Sequence, residues 1–241
     1  MTDRGRGALR QSRDALTVGP SSMHWRGDRL EIEIDERGAP PLFGRLRGHI
    51  VLTPKAISGV ELPLTPDGAH VWRPFAPSCS IEVALEAAGW HWSGHGYFDA
   101  NFGTRALERD FTDWTWGRFP TGGGATCFYD ARRRDGSRLA AGFRFDAEGK
   151  AEAVTPPPPA RLPRSLWALR RETRADAGYA PRQVKAMLDA PFYCRAAVRT
   201  CIDGEETTGV HEALDLRRFR SPLLKPMLAL RVPRRARWRF D

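Results

Sequence analysis

Cysteine is scarce in this chain of 241 residues: there are four, Cys79, Cys127, Cys194 and Cys201, and none has a Cys-x-x-Cys spacing. Cys194 and Cys201 lie seven apart on one expected strand, roughly 23 Å when extended and on opposite faces, which excludes a bridge between them. A reducing, cytosolic setting is the simplest reading. Long apolar runs are also missing. Nothing approaches the roughly 20 residues of a spanning helix, and the first residues, Met-Thr-Asp-Arg-Gly-Arg-Gly, lack the apolar stretch of a signal peptide. Gly122-Gly123-Gly124 is followed by no Lys-Ser/Thr, so it reads as a hairpin turn rather than a phosphate loop. His91 and His95 have the spacing of helical zinc ligands, but Gly94 and Gly96 exclude a helix there, and on a strand they stand roughly 13 Å apart. No metal and no cofactor is expected.

Helical pattern is scarce too. Only 181–188 suggests two turns, with Pro181 at the first position and Val184, Met187 and Leu188 on one face. Strand signals dominate. Leu30, Ile32 and Ile34 alternate with acids after Gly27-Asp28, which predicts a hairpin of 22–26 with 29–35. Asp135-Gly136 predicts a second, joining 126–133 to 137–145, and Asp203-Gly204 a third, joining 192–202 to 205–214. Residues 155–163, rich in proline, predict an extended crossing between strands rather than a domain linker. Regular short strands between turns indicate a mainly β chain, folded as a barrel or sandwich.

The formal net charge is +9, and it is concentrated. Residues 217–241 hold nine Lys or Arg against Asp241 alone, hence +8. Leu223, Leu224, Met227, Leu228 and Leu230 interrupt the basic clusters, and Trp238 and Phe240 follow. Basic plus apolar composition suits an anionic lipid surface. Nucleic acid ranks lower as a partner, because the apolar patch has no use there. The plainer alternative is a terminal segment packed on the fold with a solvated basic end.

The densest packing of aromatic, glycine and ionisable residues is 90–103, Trp-His-Trp-Ser-Gly-His-Gly-Tyr-Phe-Asp-Ala-Asn-Phe-Gly. Asp99 sits there with no Lys or Arg nearer in sequence than Arg105. A carboxyl group in aromatic surroundings tends toward a raised pKa, which suits a proton donor. As a bare pattern the segment also fits a Gly-rich turn with Asp99 as its cap.

Residues 92–101, together with Phe111-Thr112-Asp113-Trp114-Thr115-Trp116, Phe128-Tyr129-Asp130 and Ala190-Pro191-Phe192-Tyr193, resemble the carotenoid 1,2-hydratase (hydroxyneurosporene synthase) family in order through most of the chain. The resemblance implies two lipocalin-like β-barrels or sandwiches. The halves are 1–86 and 87–216, with 217–241 as a basic tail. It also implies that the first half is short of its opening strands, so that either the start is misplaced or this is a truncated, inactive copy. The implied reaction adds water to the terminal C1–C2 double bond of an acyclic carotenoid, without a cofactor, through protonation and a carbocation. The implied acid is Asp99, with Tyr97 in a Tyr-x-Asp pattern and His70 and Trp72 in a His-x-Trp pattern. Trp72 and Tyr97 would face the cation, and His70 would orient or deprotonate the water. Taken alone, His70 and Trp72 beside Asp67-Gly68 are more often surface turn and core packing. Trp90, Trp92, Trp114 and Trp116 are candidate pocket walls, the last two equally candidate core. The implied place is peripheral, on the cytoplasmic side of the inner membrane. A non-catalytic carrier of an apolar ligand is the competing reading.

Overall fold

A computed structural model describes residues 5–37, 44–86 and 90–224. The expectations for the basic tail from Lys225 onward therefore lie outside the described residues. The strands, in chain order, are β1 (Leu9–Gln11), β2 (Ala15–Val18), β3 (Ser21–Arg26), β4 (Arg29–Arg37), β5 (Arg45–Pro54), β6 (Leu62–Pro63), β7 (His70–Leu85) and β8 (Trp90–Gly103). After the single turn α1 (Leu107–Asp110) come β9 (Phe111–Thr121), β10 (Gly124–Arg133), β11 (Arg138–Phe145), β12 (Ala151–Val154), β13 (Pro159–Leu162) and β14 (Arg171–Arg174). The described chain closes with β15 (Arg182–Asp189), β16 (Tyr193–Ile202), β17 (Glu205–Asp215) and the short α2 (Leu216–Phe219). The chain is mainly β, as its patterning implied.

Two compact units form, and each draws on separate stretches of chain. The first takes the residues up to Lys55 and Cys79–Tyr97. It is an antiparallel meander, β1 through β5, with the later half of β7 beside β5 from Pro54↔Cys79 to Gly48↔Leu85. The hairpin expected at Gly27-Asp28 is present, with Arg26 opposite Arg29 and Gly27 at φ +65°.

The second unit takes Ala56–Ser78 and Phe98–Ser221. Its seven-stranded sheet has the order β12-β11-β10-β9-β17-β16-β15, all antiparallel neighbours. Among the described strands this sheet keeps β12 and β15 as edges. The hairpins at Gly122-Gly123, Asp135-Gly136 and Asp203-Gly204 form where expected. Asp203 and Gly204 both take positive φ, 53° and 80°, as a two-residue turn that follows strand twist requires. The proline-rich stretch does cross between strands of one unit, and its end forms β13, paired with β14.

Strand alternation divides this sheet into two faces. One buries Phe119, Phe128, Ala196, Val198 and Ile202 with Leu162 of β13. Arg174 of β14 pairs with Asp130 there, and Thr200 donates to the Arg174 carbonyl at 2.7 Å. The register Tyr129↔Trp116↔Glu212 places these three on the opposite face.

The helix expected over 181–188 is instead the edge strand β15. It pairs with β16 from Arg182↔Arg199 to Asp189↔Cys194, with register shifts after Gln183 and after Ala186. Val184, Met187 and Leu188, spaced as a helical stripe, stand about half exposed rather than buried on one side. The unpaired edge of β16 offers backbone partners that an isolated two-turn helix cannot match, since so short a helix is marginal alone.

Candidate active site

β7 enters the second unit with an alternating burial pattern in which His70, Trp72 and Pro74 point inward. Trp72 is wholly buried. Its indole N–H donates to Asp99 Oδ2 at 2.8 Å, across from β8. The two motifs that lie 27 residues apart in sequence therefore meet at this hydrogen bond. Its ring lies 5.6 Å from the Tyr129 ring and 6.0 Å from that of Phe143. Trp114 packs on the same Tyr129 at 5.8 Å, and the Tyr129 hydroxyl donates to Asn101 Oδ1 at 3.3 Å. The result is a carboxylate oriented by an indole and set beside aromatic rings contributed by β7, β9, β10 and β11.

The electrostatics of that face follow from burial. Burial pushes the Cys127 thiol up to about 12 and raises the Tyr129 hydroxyl well above its ordinary range, and the Asp99 charge adds to both shifts. Glu212, nearly buried, pairs with Arg195 on the neighbouring strand. Burial, then the Glu212 charge, raises the Tyr193 hydroxyl beside them.

His70 belongs to a different cluster. Its Nε2 is 2.7 Å from Asp110 Oδ2, and its ring meets Phe111 edge-on at 5.2 Å. Arg105 donates to Asp110 through Nε at 2.6 Å and Nη2 at 3.0 Å, and pairs with Asp67 at 2.8 Å. The Arg105 guanidinium, then His70, hold the Asp110 carboxyl below the ordinary range. Gly103 permits this arrangement, since a Cβ there would stand 2.5 Å from His70 Nδ1.

Of the expected site residues, Asp99 and Trp72 come together and Trp114 borders them through Tyr129. Trp116 is buried on the same sheet face. Tyr97 is half-buried on β8, two residues before Asp99 and so on the same side of the strand. Trp90 and Trp92 lie in the first unit, 60% and 49% exposed. Tyr129, Phe143 and Glu212 were not among the expected site residues. Their signal was present in the hairpins: counting back from the turns at Gly122-Gly123 and Asp135-Gly136 sets Tyr129 opposite Trp116 and Ala141. Among the described residues no cluster of His, Cys, Asp and Glu is placed to hold a metal ion.

The same face continues past Arg118 into an open groove of about 310 Å³, walled by Pro120, Met187, Ala197 and Val210 and bordered by Lys185 and Thr208. Arg118 is itself fixed by two hydrogen bonds to the Pro77 carbonyl, at 3.0 and 2.8 Å.

An antiparallel, lipocalin-like β fold with a tryptophan-held carboxylate on one sheet face is the class these features define. The fold is shared with a solved AttH-type protein from Nitrosomonas europaea, at a TM-score of 0.58 and 16% identity over 88% of this chain and 73% of that one. The chain belongs to the carotenoid hydratase CrtC family, whose model matches residues 1–241. Relatives include the acyclic carotenoid 1,2-hydratase of Cereibacter sphaeroides, 62% identical over all of this chain and 86% of that protein. That of Rhodobacter capsulatus is 59% identical over 99% of this chain and 85% of its own length.

Proposed function

We propose that this protein adds water across the terminal C1–C2 double bond of an acyclic carotenoid, with Asp99 as the proton donor. Membership of a hydratase family and the names of its relatives support the reaction class. The observation that carries the assignment of the acid is the hydrogen bond from Trp72 to Asp99 amid aromatic rings.

An isolated trisubstituted alkene is a weak base, so its hydration needs a directed proton. Asp99 delivers its proton to C2, and positive charge develops on the more substituted C1. Aromatic faces stabilise such a cation by about 0.5–2 kcal/mol per ring, and Trp72 and Trp114 are the rings assigned to it. Water attacks C1, gives a tertiary alcohol, and releases a proton that restores Asp99. The N–H of Trp72 stabilises the Asp99 carboxylate during the interval when it lacks its proton, because a donor aimed at the charged form favours that form. His70, held by Asp110 in a separate cluster, remains the candidate for orienting the attacking water. The groove beyond Arg118 offers the remaining polyene an apolar bed, worth about 0.8 kcal/mol per buried CH₂.

The test is Asp99→Asn. The substitution keeps the size of the side chain and removes the acid. Turnover of neurosporene or lycopene should fall at least a thousandfold while carotene binding, read by absorbance shift, stays within about threefold. Substantial turnover by this variant removes Asp99 as the donor. A substrate of this kind resides in lipid, and the basic residues of 217–241 support a peripheral station on the anionic cytoplasmic face of the inner membrane.

A further inference from the structure

Between β13 and β14 the chain makes a tight turn, Ser165 to Ala168, closed by the Ala168 N–H to the Ser165 carbonyl at 2.8 Å. Its two central residues are Leu166 and Trp167, 89% and 49% exposed. Central turn positions ordinarily hold Gly, Pro, Asn, Asp or Ser. A leucine and a tryptophan there expose apolar surface that no local packing requires.

The backbone behind them is firmly held. The Leu166 N–H donates to Asp189 Oδ2 at 2.7 Å, which ties the turn to the end of β15. Arg218 Nη1 donates to the Trp167 carbonyl at 2.7 Å and to the Pro191 carbonyl at 3.1 Å, which ties it to α2. Leu169, just past the turn, is buried with Cys194 and Ala213. The side chains are thus presented on a rigid support, which lowers the ordering cost of inserting them elsewhere.

The surroundings are basic. Arg164 and Arg170 flank the turn and are exposed, as are Arg217 and Arg220 of α2 and its end. Of the nearby acids, Asp189 accepts from Leu166 through Oδ2, and Asp215 caps α2 by accepting from the N–H groups of Arg217 and Arg218. On β15, immediately before Asp189, Met187 and Leu188 are also about half exposed. Met187 also lines the groove on the site face.

We infer that the Ser165-to-Ala168 turn is a membrane-docking element. Leu166 and Trp167 enter the headgroup region of an anionic bilayer, the arginines rest on its phosphates, and the groove mouth at Met187 opens toward the lipid. Tryptophan suits that depth, because its ring is apolar and its N–H remains hydrated. Aliphatic insertion with a basic collar matches a lipid surface better than a protein partner, whose contact would leave the arginines needing fixed acids. The inference rests on the reading of the substrate as a lipid-dissolved polyene, and it places the contact at the Ser165-to-Ala168 turn and α2 rather than at the basic residues from Lys225 onward.

The full chain should sediment with vesicles of phosphatidylcholine and phosphatidylglycerol (3:1) and far less with phosphatidylcholine alone. Replacing both residues, Leu166→Ser with Trp167→Ser, should weaken partition into the anionic vesicles at least tenfold without moving the thermal midpoint. Its turnover of detergent-dispersed carotene should match the parent, while turnover of vesicle-held carotene falls. Lipids brominated on the acyl chain should quench the parent's fluorescence, and Trp167→Phe should lose most of that quenching. Parental vesicle binding by the double variant overturns the inference. So does a parent that binds no vesicles, which would leave the patch to a protein surface. Loss of all binding on changing Arg234, Arg235, Arg237 and Arg239 to Gln, with none lost in the turn variant, overturns it in favour of the tail. Loss of detergent turnover in Asp99→Asn alone bears on the proposed chemistry and leaves the docking result readable.

Discussion

Trp72 combines two properties that can be separated by one substitution. Its ring packs against Tyr129 and Phe143, and its N–H holds Asp99. Trp72→Phe keeps most of the ring and removes the donor. We expect kcat to fall about 10–100-fold with KM changed less than about threefold, since the bond acts on the carboxylate that forms during proton transfer. Equal losses in kcat and binding would show instead that packing alone matters. At this scale the sequence was legible in part. The Tyr-x-Asp and His-x-Trp spacings set each pair on one side of a strand, and Trp72 and Asp99 do meet. The partner of His70 was not legible. Asp110 lies 40 residues away on a single helical turn, and only the fold brings the two within 2.7 Å.

Hairpins are the elements the sequence announced most clearly, because a two-residue turn with positive φ needs Gly, Asn or Asp. The strand interiors contain glycines of another kind. A Cβ on Gly209 would stand 2.0 Å from the Arg118 carbonyl and 2.6 Å from the Phe119 ring. β17 and β9 approach too closely there for any side chain. Gly209→Ala should lower stability by about 1–3 kcal/mol, as overpacking does, measured as a fall in the urea midpoint at unchanged slope. An unchanged midpoint would mean that the two strands can part without cost. β15 shows the reverse case. Its spacing of Val184, Met187 and Leu188 fits a helix as well as a strand with two bulges, and the open edge of β16 decides between them.

At the scale of the whole fold, one buried imidazole among the described residues makes stability depend on pH in the mildly acidic range. His211 is 1% exposed, with Nε2 on the Glu172 carbonyl at 2.8 Å. Burial pushes it down to about 4, opposed by that hydrogen bond and assisted by Arg171. In the unfolded chain it accepts a proton near 6.5. Between pH 6.5 and 4 the unfolded state therefore binds more protons, and stability falls as pH falls. The loss is at most about 1.4 kcal/mol per pH unit and about 3 kcal/mol across the window. Urea unfolding at pH 7, 5.5 and 4.5 checks this, with His211→Gln expected to flatten the trend. A parent as stable at pH 4.5 as at pH 7 would contradict it. The carboxylates of Asp110, Asp135 and Asp176, all held below the ordinary range, contribute their own losses only as pH falls through that lower region.

The sequence by itself determined the mainly β character and the positions of the hairpins. Those are local properties: turn conformations demand particular residues, and alternation along a strand records which side is buried. The tertiary structure alone decided which of those residues meet. It joined Trp72 to Asp99, gave His70 to Asp110, set Tyr129 and Phe143 around the indole, and turned residues 182–189 from a helical stripe into an edge strand. Each of these depends on which strands become neighbours, and that choice is made by the burial and backbone pairing of the whole sheet, which no short window of residues contains.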